Sequence, residues 1–137
     1  MFITGELIER IRGGHFDAAF ASLYCADAQG VAKQRARYIA AVEAFAELYG
    51  SAREVAVYSA PGRTEIGGNH TDHNNGIVMA AAVNLDIIAV VSQNEENVIR
   101  VKSKGFSAAD TVDLADLAVH SNEQGRSSSL IRGVAAR

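Results

Sequence analysis

The sequence predicts an α+β fold: a mixed, largely antiparallel sheet with helices packed on one side, truncated at its C-terminal end. Three observations point to it. Apolar residues recur at helical spacing through the first fifty positions. The period changes to alternation near residue 54. Several β-branched, alternating stretches then follow, separated by polar turns. The expected division is an N-terminal helical segment over 1–50 and a sheet-bearing part over 51–137, incomplete at its C-terminus.

Leu7, Ile8 and Ile11 predict a short helix stopped by Gly13 and Gly14, and Phe16, Ala19, Phe20 and Leu23 repeat the pattern. A longer helix is expected from about Asp27 to Tyr49. Val31, Tyr38, Ile39, Val42, Phe45 and Leu48 share its inner face, Asp27 is its N-cap and Gly50 its stop. "REVAVYSA" reads as a strand ending at Ala60, where Pro61 and Gly62 turn the chain. "GIVMAAAV" and "LDIIAVVSQN" read as two further strands. "NEEN" is a turn, Gln93–Val98 a hairpin connection, "VIRVKSKG" a fourth strand and "ADTVDL" a weaker fifth. "HSNEQGRSSS" reads as a loop, and "SLIRGVAAR" as a helix that stops without a cap.

The chain has 137 residues, 48% hydrophobic and 21% charged, enough for one domain with a real core. A net charge of -3 lacks the basic excess that nucleic acid or an anionic membrane selects, so neither is an expected partner. Cys25 is the only cysteine, which excludes an internal disulfide and a cysteine-built zinc site. With no signal-peptide pattern at the start and no long apolar run, the expected setting is cytoplasmic.

The chemistry concentrates in "APGRTEIGGNHTDHNNG", residues 60–76, which holds the only proline and crowds Arg63, Glu65, His70, Asp72 and His73 among glycines. Three readings compete. His70-Thr71-Asp72-His73 is the tail of an H-x-H-x-D-H pattern, as in metal-dependent hydrolases. However, Gly68 stands where the first ligand would be, and His15 and His120 lie in polar contexts without another ligand type close by, so no metal is assigned. A second reading is a ligand loop. Gly67, Gly68 and Gly76 permit close backbone approach. His70 and Asp72, two apart, point to one side of an extended loop and suit a polyhydroxylated ligand. Arg63 supplies a fixed charge for a carboxylate or a transferring phosphoryl group. The third reading is a glycine-rich turn whose Arg and Asp pair with each other. Elsewhere, "QGRSSSL" resembles a phosphate cradle, but it lacks a leading strand and paired glycines, and a serine-rich helix N-cap accounts for it better.

"APGRTEIGGNHTDHNNGIVMAAAV" closely resembles the N-terminal signature of galactokinases, in the GHMP sugar and metabolite kinase family. The usual form is G-R-x-N-x-I-G-E-H-T-D-Y-N-x-G, and the match runs without a gap from Ser59 to about Leu85. The resemblance implies a GHMP-kinase, ribosomal S5 domain 2-like fold, with 51–137 as the galactose-binding part. It implies that Arg63 is catalytic, beside the reacting hydroxyl, and that Asn69, His70 and Asp72 bind galactose. Asn69 stands where most members carry glutamate, Glu65 where most carry asparagine, and His73 where most carry tyrosine. G-G-N-H-T-D-H is a variant among bacterial galactokinases, and Asn69 can donate where glutamate only accepts.

The family's P-x-G-x-G-L-S-S-S loop does not occur in this sequence, and its catalytic aspartate lies further on. The expectation is therefore the N-terminal part of an enzyme that uses ATP and Mg²⁺ to make galactose 1-phosphate. No cofactor is expected on these residues alone, which are expected to be inactive. Their expected partners are galactose, the C-terminal part of the same enzyme, and a second copy through uncovered surface. The alternatives are a non-catalytic galactose-binding or sensing module and, behind it, a metal-dependent hydrolase.

Overall fold

A computed structural model describes residues 1–68 and 75–137, in two compact units, Met1–Gln93 and Asn94–Arg137. The first unit begins with β1 (Phe2–Ile3), which pairs antiparallel with the start of β2 (Glu54–Gly67). Three helices lie between them in the chain: α1 (Thr4–Arg12), α2 (Asp17–Tyr24) and α3 (Ala28–Tyr49). Gly14, at φ 78°, reverses the chain after α1, and Cys25, at φ 48°, ends α2 in the left-handed region. Asp27 caps α3 as expected: its Oδ1 accepts from the Gly30 N–H at 2.8 Å, which satisfies an orphan donor of the first turn. Gly50 follows α3 at φ 97°.

Leu7, Ile11, Phe20, Tyr24, Val31, Tyr38, Val42 and Val55 form the buried core, joined by Phe2, Phe16, Phe45, Val57, Ile88 and Val90 at its margin. The predicted stripe on α3 faces inward except at its end. Leu48, in the last turn, is 56% exposed, and beside it Tyr49 meets Phe45 with ring centroids 5.0 Å apart and planes tilted by 45°.

Two boundaries differ from the expectation, for related reasons. β2 does not end at Ala60; it runs through Pro61 to Gly67. Proline is tolerated in a strand at a bulge or where its missing N–H would face no neighbour. Here the ladder register breaks between Pro61 and Arg63, and β1 covers only the first residues of β2. The two strands expected after Gly76 are one, β3 (Met79–Val91). The polar interruption at Asn84 is taken up as an irregularity and not as a turn: Pro61 pairs with Asp86, but Arg63 pairs with Ala82.

The second unit holds β4 (Val98–Val101), β5 (Asp110–Asp113) and α4 (Ser127–Ala135). The turn at 94–97 is present. Asn94 Oδ1 accepts from the Glu96 N–H and its amide donates to the Val98 carbonyl, both at 3.0 Å. The expected hairpin across it does not form as a ladder, because β4 takes β5 as its antiparallel partner, Ile99 opposite Val112. The "HSNEQGRSSS" loop contains a 3-10 turn, Ser121–Glu123, and α4 begins inside it. Arg126, not a serine, occupies the cap position of α4, without a side-chain cap. Both antiparallel sheets and the helices agree with an α+β class.

Val42 is fully buried among these side chains. Val42→Ala is expected to cost about 2 kcal/mol, by lost apolar burial and the cavity left behind. Urea denaturation would read this as a lower midpoint at unchanged slope.

Candidate functional site

β2 and β3 change character along their length. Val55 and Val57 pack on the helices, but every residue of β2 from Tyr58 to Gly67 is exposed. Beyond Asp86 the ladder is therefore a two-stranded arm reaching away from the core. Arg63 stands on this arm opposite Ala82, with Thr64 opposite Ala81 and Glu65 opposite Ala80. Three consecutive small residues leave the arginine uncrowded from across the ladder. It is exposed, with no hydrogen bond or ion pair to a described residue. An uncommitted guanidinium keeps its donors for a ligand.

At the end of the arm, Gly68 sits at φ 116°, and a Cβ there would come within 2.7 Å of Val78 Cα. Both conformation and space require glycine at that position. At Gly67 a Cβ would meet nothing, so its conformation makes no such demand. Asn75 takes the left-handed conformation, φ 59°, just before Gly76. Ile77 is 94% exposed, and Ile66 and Met79 are exposed beside it. Asn69, His70 and Asp72, with His73, lie outside the described residues.

Among the described residues, no group of three or more His, Cys, Asp or Glu could hold a metal ion. His120 Nε2 lies 3.1 Å from Asp116 Oδ2. The phosphate-cradle lookalike is occupied internally. Ser127 Oγ donates to Asp110 Oδ2 at 2.6 Å and Ser129 Oγ to the Arg126 carbonyl at 2.7 Å. An anion at Ser127 would meet the Asp110 carboxylate.

Where the arm leaves the core lies a cluster that sequence reasoning missed. Asp86, its side chain 3% exposed, accepts from Tyr24 Oη at 2.6 Å and from Ser59 Oγ at 2.6 Å. Arg37 pairs with its other carboxylate oxygen and donates through Nη2 to the Asp86 carbonyl at 2.9 Å. The Tyr24 and Tyr38 hydroxyls share a hydrogen bond of 2.8 Å. Burial pushes the Asp86 pKa upward, but hydrogen bonds from Ser59, Tyr24 and Arg37, with the Arg37 charge, outweigh it and hold the carboxyl below its ordinary value. Burial first, and then the bond to Asp86, raise the Tyr24 phenol far above its usual range. The available signal was Asp86 itself, one charge inside the apolar run "LDIIAVV".

Residues 43–93 match the family described as the galactokinase galactose-binding signature. The match takes in the end of α3, the whole arm and its loop, and closes where the first unit closes. This chain carries the galactokinase signature. It is 42% identical over 83 residues to a galactokinase of Streptomyces coelicolor, covering 59% of this chain and 21% of that protein. A galactokinase of Lacticaseibacillus casei is 32% identical over 91 residues, covering 66% of this chain and 23% of its own length. One from Actinobacillus pleuropneumoniae is 37% identical over 75 residues, covering 55% and 19%. The chain thus spans about a fifth of the galactokinases it matches. No solved structure matches it.

The Asp86 cluster predicts a pH dependence. A carboxyl whose folded pKa lies below its unfolded value of 3.8 stabilises the fold above that value. The contribution is lost as the pH falls through the folded pKa. Asp17, Asp116 and Glu123, also lowered, act in the same direction. Denaturation midpoints at pH 7 and pH 3 should differ less for Asp86→Asn than for the unaltered chain. At pH 7, Asp86→Ala should cost about 2–3 kcal/mol, because Tyr24, Ser59 and the partly exposed Arg37 lose the carboxylate they share.

Proposed function

We propose that this chain is the galactose-binding portion of a sugar kinase of the galactokinase type. The observation that carries the reading is the signature match over residues 43–93, which includes the whole exposed arm with Arg63. The parent protein moves the γ-phosphoryl group of ATP, with Mg²⁺, onto the C1 hydroxyl of galactose, giving galactose 1-phosphate. In this chain, Asn69, His70 and Asp72 bind sugar hydroxyls. Arg63 stands beside the reacting hydroxyl, where an exposed guanidinium stabilises charge that develops during transfer. Gly68 lets the backbone close the arm against Val78 without a side chain in the way. The serines at the start of α4 are bound internally, to Asp110 and the Arg126 carbonyl, and are not assigned to ATP. No step of transfer is assigned to these residues beyond placing the sugar and Arg63.

Calorimetric titration of galactose into the 137-residue chain tests the reading. Asp72→Ala should weaken binding by about 1–3 kcal/mol, roughly five- to 150-fold, because sugar hydroxyls lose their acceptor. Undetectable binding by the unaltered chain at millimolar sugar would count against it.

The second reading is a module that binds galactose without phosphorylating it. Both readings expect no galactose-dependent ADP release from these 137 residues. The parent reading frame separates them: release by the full protein supports the kinase, and its absence there the binding module.

A further inference from the structure

The β2–β3 arm has no core of its own, and a two-stranded ribbon is marginal in water. Its direction is therefore set where it leaves the helices. That exit coincides with Asp86. It is the cross-strand partner of Pro61, the last pair before the register breaks. Pro61 has no N–H to give the ladder, so the strands are held less firmly here by their backbones. Gly62 lies close under the irregularity, where a Cβ would come within 3.3 Å of the Leu85 carbonyl oxygen and 3.2 Å of Val83 Cγ2.

Side chains replace what the ladder loses. Both carboxylate oxygens and the backbone carbonyl of Asp86 are tied to Tyr24 on α2, Arg37 on α3 and Ser59 on β2. Asn84, inside the irregular stretch, adds a bond from its amide to the Tyr24 carbonyl at 3.4 Å. A buried ion pair is weak evidence for stability, since apolar side chains of similar volume commonly serve as well or better. What three donors on the carboxylate and a fourth on the backbone carbonyl do provide is a single orientation.

We propose that Asp86 is a positioning residue for Arg63: locked by Tyr24, Arg37 and Ser59, its carboxylate sets the angle at which the arm leaves the core and thereby fixes where Arg63 stands. This inference rests on the sugar-binding reading of the loop, and Asp86 acts through the arm without touching the ligand.

Hydrogen–deuterium exchange of the 137-residue chain, read by mass spectrometry without sugar, tests it. Asp86→Asn preserves volume but removes the charge and one acceptor. Amides of 62–67 and 79–85 should exchange at least about tenfold faster, while those of α1 and α3 stay within about twofold. Uniform acceleration through helices and arm, or no change in the arm, would overturn the proposal. Tyr24→Phe removes one donor and leaves the ion pair, so it carries the same measurement if Asp86→Asn fails to fold.

Galactose titration supplies the second readout. A guanidinium beside the reacting hydroxyl also donates to it before transfer, so Asp86→Asn should weaken binding about tenfold, but by no more than about twofold in an Arg63→Ala background, because the two act through one geometry. Equal losses in both backgrounds would refute positioning of Arg63. Should the unaltered chain bind no galactose, the sugar reading fails, and the exchange pattern alone decides whether Asp86 orients the arm.

Discussion

A long two-stranded ladder cannot bury both of its faces, and the first unit is organised around that constraint. Val55 and Val57 on β2, with Ile88 and Val90 on β3, rest against Val42, Tyr38 and the other apolar side chains of α1 to α3. Burial of that inner half holds the ladder together. The outer half, from Tyr58 to Gly67, stays exposed and can present Arg63 and a loop to a ligand. One strand thus serves two roles, structural at its start and functional at its end.

The boundary between the roles is chemical as well as geometric. On the core side the contacts are apolar and non-directional. At the exit they become a directional polar cluster, in which a buried carboxylate collects a guanidinium, a phenol and a serine hydroxyl. Apolar packing tolerates small rotations of a strand, whereas a carboxylate with its acceptor sites filled does not. Arg63 lies two residues beyond Pro61, the cross-strand partner of Asp86, so an error in angle there is carried straight into the site.

Local chemistry was legible where it depends on near neighbours. The cap at Asp27, the stops at Gly14 and Gly50, and the inner face of α3 all follow from residues within a turn or two of one another. The arm's signature was legible because its spacing is long and specific, and the match over 43–93 covers it. Errors arose where a local breaker met a distant compensation. Pro61 reads as the end of a strand, yet a register shift absorbs it. Asn84 reads as a gap between strands, yet it lies inside one. Arg126 displaced the serines as the cap of α4, and Ser127 turned to Asp110, 17 residues away.

Sequence alone therefore determined the class of the fold, the helices α1 to α3 with the Asp27 cap, and the signature carried on the arm, because each is written in short-range pattern. Tertiary structure decided that β2 and β3 are continuous, that β4 pairs with β5, and that Arg63 is left without a described partner. It also decided the fate of Asp86. A lone acid in an apolar run announces only that a partner must exist. Tyr24, Arg37 and Ser59 lie 62, 49 and 27 positions away; the packing of α2 and α3 onto the sheet brings the first two within hydrogen-bond reach, and the pairing of β2 with β3 brings the third.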